Sequence, residues 1–208
     1  MLASNLSEKQ QQQLATAANM LRWGRSTSNL YTLCKMIQTN KHVLSNCSAS
    51  GPLSRYTIRH NSILTILTEY LTSALPSSST IYADLPNKKP INLIFKTLRP
   101  DLVIRSDHRL TVIELTVCHE TNFKSAKERK TSKYGNLSDN LNSDFTKLVV
   151  NVVTVEISVL GFITGLNLVC NELKIKKFPD TVLNKITLTA IDYLSKIYSN
   201  RNVPDEDI

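Results

Sequence analysis

The chain has 208 residues, 41% hydrophobic and 20% charged, enough apolar material for one ordinary domain with a buried core and too much for a disordered chain. Its 25 Lys and Arg against 17 Asp and Glu leave a formal net charge of +8, which favours nucleic acid or an acidic membrane surface over an acidic protein as partner. The five glycines (Gly24, Gly51, Gly135, Gly161, Gly165) form neither a G-x-G-x-x-G turn nor a P-loop, so nucleotide-cofactor folds of those types are excluded and no small-molecule cofactor is expected.

The N-terminal residues predict a helix over 5–23, with Ser4 or Asn5 as its cap and a Gln-rich polar face. No basic stretch leads into a continuous apolar run there, so a secretory signal is not expected, and the chain is expected in the nucleus or cytoplasm. Residues 24–56 are rich in Ser, Asn and Thr. Trp23 reads as a packing anchor. Residues 57–75 predict an amphipathic helix, because Ile63, Ile66, Leu67, Tyr70, Leu71 and Ala74 recur at helical steps and Pro76 follows. A turn at 77–79, a short strand over 80–85 and a breaker at 87–90 come next. Strands are predicted over 101–106 and 109–118, the second alternating and β-branched, with Asp107 and His108 as the hairpin turn. A basic helix over 122–134 stops at Gly135.

Residues 149–160 predict a strand with Val153, Val155, Ile157 and Val159 on one face and Thr154, Glu156 and Ser158 on the other. The apolar stretch 149–170 is interrupted by Asn151, Glu156 and Asn167, so no membrane span is expected. A last amphipathic helix covers 181–199, and an acidic tail over 204–208 is expected to be loose. Cys118 and Cys170 read as buried strand positions, and the four cysteines are not spaced as in a disulfide-dense secreted domain. There is no internal repeat. This order of elements predicts an α/β fold with a mixed sheet.

The chemistry centres on two carboxylates. If 101–106 and 109–114 pair tightly about Asp107 and His108, Asp101 falls directly opposite Glu114, and opposite residues share a face with Cβ atoms about 4.5–5.5 Å apart. Like charges so placed need an offset. Mg²⁺ (or Mn²⁺), held by Asp101, Glu114 and the Leu115 carbonyl, would supply one. The simpler reading is a pair of water-facing acids in a hairpin.

Arg99-Pro100-Asp101-Leu102-Val103, followed by Glu114-Leu115-Thr116, resembles the PD-(D/E)XK restriction-like nuclease motif. More closely it is similar to the endonuclease domain at the C-terminal end of site-specific non-LTR retrotransposon proteins. Three segments carry the same resemblance: the basic helix from Ala126 to Tyr134, the strand from Thr154 to Phe162, and the upstream set Cys34, His42, Cys47 and Arg59-His60-Asn61. The resemblance spans roughly residues 20–165. It implies a restriction-endonuclease-like mixed sheet flanked by helices over 57–203, after a small N-terminal helical and knuckle segment over 1–56. It also implies metal-dependent nicking of duplex DNA, with the element's RNA as a further partner, to prime reverse transcription.

The superfamily expects Lys where Thr116 stands. In the retrotransposon branch the resemblance implies a lysine supplied by the following helix, either Lys130 or Lys133, which lie on one helical face with Ala126 and Tyr134. Lys124, Lys127 and Arg129 then read as DNA-backbone contacts, and Arg55, Arg59 and His60 as a compact basic cluster for a phosphate or a structural salt bridge. Glu156 either joins the metal shell or caps a sheet edge. Glu69 is a candidate helix-borne acid or a surface residue, and Asp84 is discounted as a polymerase metal ligand. Cys34, His42 and Cys47 have the C-terminal spacing of a CCHC zinc knuckle, but Leu30 and Tyr31 stand where the pattern calls for another cysteine. A ligand such as His60 completes the site from elsewhere, or zinc binds weakly, or the site is lost. The last two are favoured, because two Cys and one His do not close a tetrahedron. Decay of both features fits a rival reading, a nucleic-acid-binding remnant without catalysis. A protein-interaction domain is the other rival. Aromatic residues are 6% of the chain, which disfavours a base-stacking surface.

Overall fold

A computed structural model describes residues 14–86, 88, 95, 97–134 and 148–202. At its centre five strands lie in the order β1 (Thr80–Ala83), β2 (Leu102–Ser106), β3 (Arg109–Cys118), β4 (Val149–Ser158) and β5 (Ile163–Thr164). β3 and β4 pair in parallel and the other neighbours antiparallel, so the sheet is mixed. The helices are α1 (Ala17–Arg22), α2 (Ser50–Ala74), α3 (Phe123–Lys133), α4 (Leu166–Leu173) and α5 (Asp180–Ser199), with a π-helical segment at His42–Asn46 and a 3-10 turn at Glu120–Asn122.

Hydrophobic alternation builds the main core. Leu102, Ile104, Ile113, Leu115, Val153, Val155 and Ile157 turn to one sheet face, where Ile63, Leu64, Leu67 and Leu71 of α2, Leu166 and Val169 of α4, and Ile186 and Ala190 of α5 cover them. The opposite face carries Val103, Leu110 and Val112, packed with Phe95 and Tyr134. Because both faces are covered, the polar half of each alternation is buried too: Glu114, Thr154, Glu156 and Ser158 are all inside, as is Thr111 on the main-core face. Alternation in the sequence separates the two faces without saying that the polar one meets water.

A third cluster, Val43, Leu44, Val159, Leu160 and Ile197, packs the π-helical segment against the end of β4 and the last turns of α5. The expected boundary at 56/57 falls within α2. That helix starts seven residues earlier than the periodicity suggested, with Pro52 in its first turn, where a missing N–H costs nothing. Its last turn closes with the Leu75 N–H on the Leu71 carbonyl, just before Pro76.

Other elements differ from expectation. Within the described part of 5–23, the helix covers only Ala17–Arg22 and Thr16 caps it, its hydroxyl accepting from the Asn19 N–H at 3.4 Å. Strand β5 and helix α4 were not expected, and they place Cys170 in a helix rather than a strand. Gly165, at φ +86°, makes the turn between them, where a Cβ would run into the Thr154 carbonyl oxygen. Trp23 is 38% exposed, with the Arg25 guanidinium 5.9 Å from its ring centroid, and anchors no core. The breaker at 87, 89 and 90, the stop at Gly135 and the tail over 204–208 lie outside the described residues. No helix among the described residues is long and apolar enough to cross a membrane.

Candidate functional site

The register Leu102↔Ile113, Val103↔Val112, Ser106↔Arg109 is the tight hairpin about Asp107 and His108. Continued one step past the start of β2, it sets Asp101 against Glu114. The two interlock through the backbone: the Leu115 N–H donates to Asp101 Oδ2 at 2.8 Å, and the Asp101 N–H donates to Glu114 Oε1 at 3.3 Å. Leu115 itself points into the main core, on the other face. Neither carboxylate is water-facing, Asp101 being 8% and Glu114 0% exposed.

Two other elements close on this pair. From α3, Lys130 Nζ lies 2.9 Å from Asp101 Oδ2 and also contacts Glu114 Oε2, while the Tyr134 hydroxyl donates to Glu114 Oε1. Lys133 stands further out, its ammonium 3.7 Å from Glu114 Oε1 and donating to the Arg99 carbonyl at 3.0 Å. From α2, His60 Nε2 approaches Asp101 Oδ1 at 3.4 Å, and its other ring nitrogen lies 3.1 Å from Asn61 Oδ1.

Burial alone would raise the Asp101 carboxyl and lower His60 and Lys130. The mutual hydrogen bonds and charges outweigh it, holding Asp101 well below the usual carboxylate range and raising both His60 and Lys130. Burial and the Glu114 carboxylate both push the Tyr134 phenol far up, so it stays a donor. The result is a buried ion cluster in which every carboxylate oxygen has a partner. Hard carboxylate oxygens converging from opposed strands are the donor type that Mg²⁺ and Mn²⁺ take, so the residues fit such an ion provided the Lys130 ammonium yields its place.

The remaining sequence candidates divide. Lys124, Lys127 and Arg129 are exposed along α3. Arg55 and Arg59 do not form a phosphate-facing cluster: they are 5% and 1% exposed and turn inward. Arg55 donates to the Asn200 carbonyl at 2.7 Å, and Arg59 to the Leu44 and Val117 carbonyls at 3.1 and 3.4 Å. Burial lowers the Arg59 guanidinium to about 10, still protonated at neutral pH. His60 is likewise turned inward, onto Asp101.

Glu69 lies nine residues beyond His60, half a turn round the helix, and makes an exposed ion pair with Lys185 at 3.6 Å, away from the carboxylates. Glu156 is buried at the short β5 edge, where it accepts from the Thr164 hydroxyl at 3.0 Å and faces Thr116 across β3 and β4. Asp84 stands at the rim, paired with Arg99 at 2.9 Å. The site roles of His60 and Tyr134 were missed. Tyr134 was in view as the position one turn after Lys130, but nothing local in the sequence brings α2 to Asp101.

A second cluster lies in the N-terminal segment. The ligand atoms of Cys34, His42 and Cys47 all fall within 4.8 Å of one another, with Cys34 Sγ 3.1 Å from His42 Nε2. Tetrahedral zinc with such ligands would separate them by about 3.3–3.8 Å, so the group could hold a metal ion with little movement. Burial keeps the His42 imidazole neutral, the form that ligates, and raises the Cys47 thiol, so metal binding would release a proton. Among the described residues no fourth Cys, His or carboxylate joins these three, and His60 is committed to Asp101.

No protein-family model matches the chain, and no curated protein matches it either.

Proposed function

We propose that this chain is a restriction-endonuclease-like domain derived from a retrotransposon, nicking phosphodiester bonds of duplex DNA with a divalent cation. The observation that carries the reading is the convergence of Asp101, Glu114 and Lys130. They come from two paired strands and the following helix, in the order the nuclease motif requires, on a mixed sheet covered on both faces. Asp101 and Glu114 would hold Mg²⁺ or Mn²⁺, with the Leu115 carbonyl beside them. Such an ion offsets phosphodiester charge and makes a bound water more acidic.

The chain's own residues do the rest. Tyr134 and the Asp101 backbone N–H fix the Glu114 carboxylate, and His60 fixes Asp101. Lys130 replaces the lysine that Thr116 lacks and offers its ammonium to the charge that develops on the attacked phosphate. Lys133, at the rim, is the secondary candidate. Lys124, Lys127 and Arg129 on the solvent side of α3 provide backbone contacts for DNA.

Plasmid nicking by the purified chain with Mg²⁺ or Mn²⁺ tests this. Nicking abolished by EDTA and by Asp101→Ala is the expected result. The alternative, a DNA-binding remnant without catalysis, is favoured by Thr116 and by the three-ligand thiol cluster. It requires no nicking from a folded chain that shifts DNA in a salt-sensitive way.

A further inference from the structure

Two inner carboxylate oxygens, Asp101 Oδ2 and Glu114 Oε2, are bridged by the Lys130 ammonium, Oδ2 accepting from the Leu115 N–H as well. The outer oxygens are taken up elsewhere, Asp101 Oδ1 by His60 and Glu114 Oε1 by Tyr134 and the Asp101 N–H. A hard divalent cation seeks the same inner pair. Ammonium and cation exclude each other there, by volume and by like charge in a site where screening by water is weak. Lys130 is nevertheless not locked in. Its side chain is 17% exposed, on a long apolar stem in the last turn of α3.

We infer that Lys130 is a resident cation of the metal-free site, and that a divalent ion enters by driving its ammonium out to solvent. The inference rests on the carboxylate-metal reading above and adds a form of regulation to it. Among the described residues the ammonium pairs with no carboxylate besides Asp101 and Glu114, so without DNA it has nowhere better to go and cation loading is weak. A phosphodiester at the rim offers the displaced ammonium a new partner, so DNA and the cation promote each other's binding.

The test is Mn²⁺ titration of the whole chain, without DNA, by calorimetry. Lys130→Met keeps the stem and removes the charge, and should bind Mn²⁺ at least tenfold more tightly than the natural chain. Lys130→Arg should bind no more tightly. On the natural chain, reductive methylation read by mass spectrometry should find Lys130 protected without Mn²⁺ and labelled at saturation. That measurement decides the matter if Lys130→Met fails to fold. Equal affinity of the natural and Lys130→Met chains, or unchanged protection at saturating Mn²⁺, overturns the inference and leaves the metal reading standing. If neither folded chain binds Mn²⁺, the metal reading itself fails and the inference falls with it.

Discussion

At the scale of single residues, His60 carries the clearest consequence. Asp101, Asn61 and Lys130 face it, and its raised pKa reports a proton held better in the folded chain than in the unfolded one. A group raised on folding adds stability that is complete below its unfolded value, about 6.5, and is lost as pH rises through its folded value. Asp101 runs the other way. Its depressed carboxyl adds stability above about 3.9 that is lost only in stronger acid. Between these limits the pair is intact. In urea unfolding of the metal-free chain in EDTA, stability should therefore fall as pH climbs above about 6.5. His60→Gln should flatten that limb, and an identical limb in the variant would assign the titration elsewhere. The carboxylates were legible in the sequence because a two-residue turn fixes register, and register fixes which side chains face each other. His60 was not legible as their partner, since its placement depends on how α2 crosses the sheet. Nor were Arg55 and Arg59, whose spacing suggests a phosphate cluster but whose guanidiniums end on buried carbonyls.

At the scale of elements, helices and strands with one strong period were legible: α3, α5, β2, β3 and β4 lie near their expected bounds, and α2 does so at its C-terminal end only. The region after β4 was not. Two strand residues and eight helical ones are too few to establish a period, and the signal that separates them is the backbone at Gly165. This glycine closes β5 into α4 directly over the Thr154 carbonyl, at a φ that other residues avoid. Gly165→Ala should accordingly cost about 2–3 kcal/mol, from left-handed strain plus displacement of β4. Chemical denaturation measures it, and a cost within about 0.5 kcal/mol, the usual range for surface substitutions, would mean the turn relaxes freely.

At the scale of the whole molecule, the thiol cluster is wired into the rest of the fold. Val43 and Leu44, between His42 and Cys47, pack on β4 and α5. The Tyr56 hydroxyl donates to the Val43 carbonyl and accepts from the Cys47 N–H, and Arg59 spans from the Leu44 carbonyl to the Val117 carbonyl of β3. The next residue, His60, holds Asp101. A metal held by Cys34, His42 and Cys47 would thus brace the same turn of α2 that supports the carboxylate site, and its binding energy would appear in global unfolding rather than in a local segment. At zinc about a hundredfold above its dissociation constant the gain is about 2.7 kcal/mol. In a chain of this size that is a rise of roughly 5–11 °C in the thermal midpoint. Cys34→Ser should remove the rise while leaving the metal-free midpoint nearly unchanged, because Cys34 is only half-buried and its contacts, the His42 imidazole and the Cys47 thiol, are ones a serine hydroxyl can also make. A scan with and without zinc, beside the Co²⁺ absorption spectrum, separates the outcomes. A zinc-dependent rise that survives Cys34→Ser would move the metal to other ligands. Its absence from the natural chain would leave the three side chains as a hydrogen-bonded packing cluster, and the brace on α2 would then come from Arg59, Tyr56 and the apolar contacts alone.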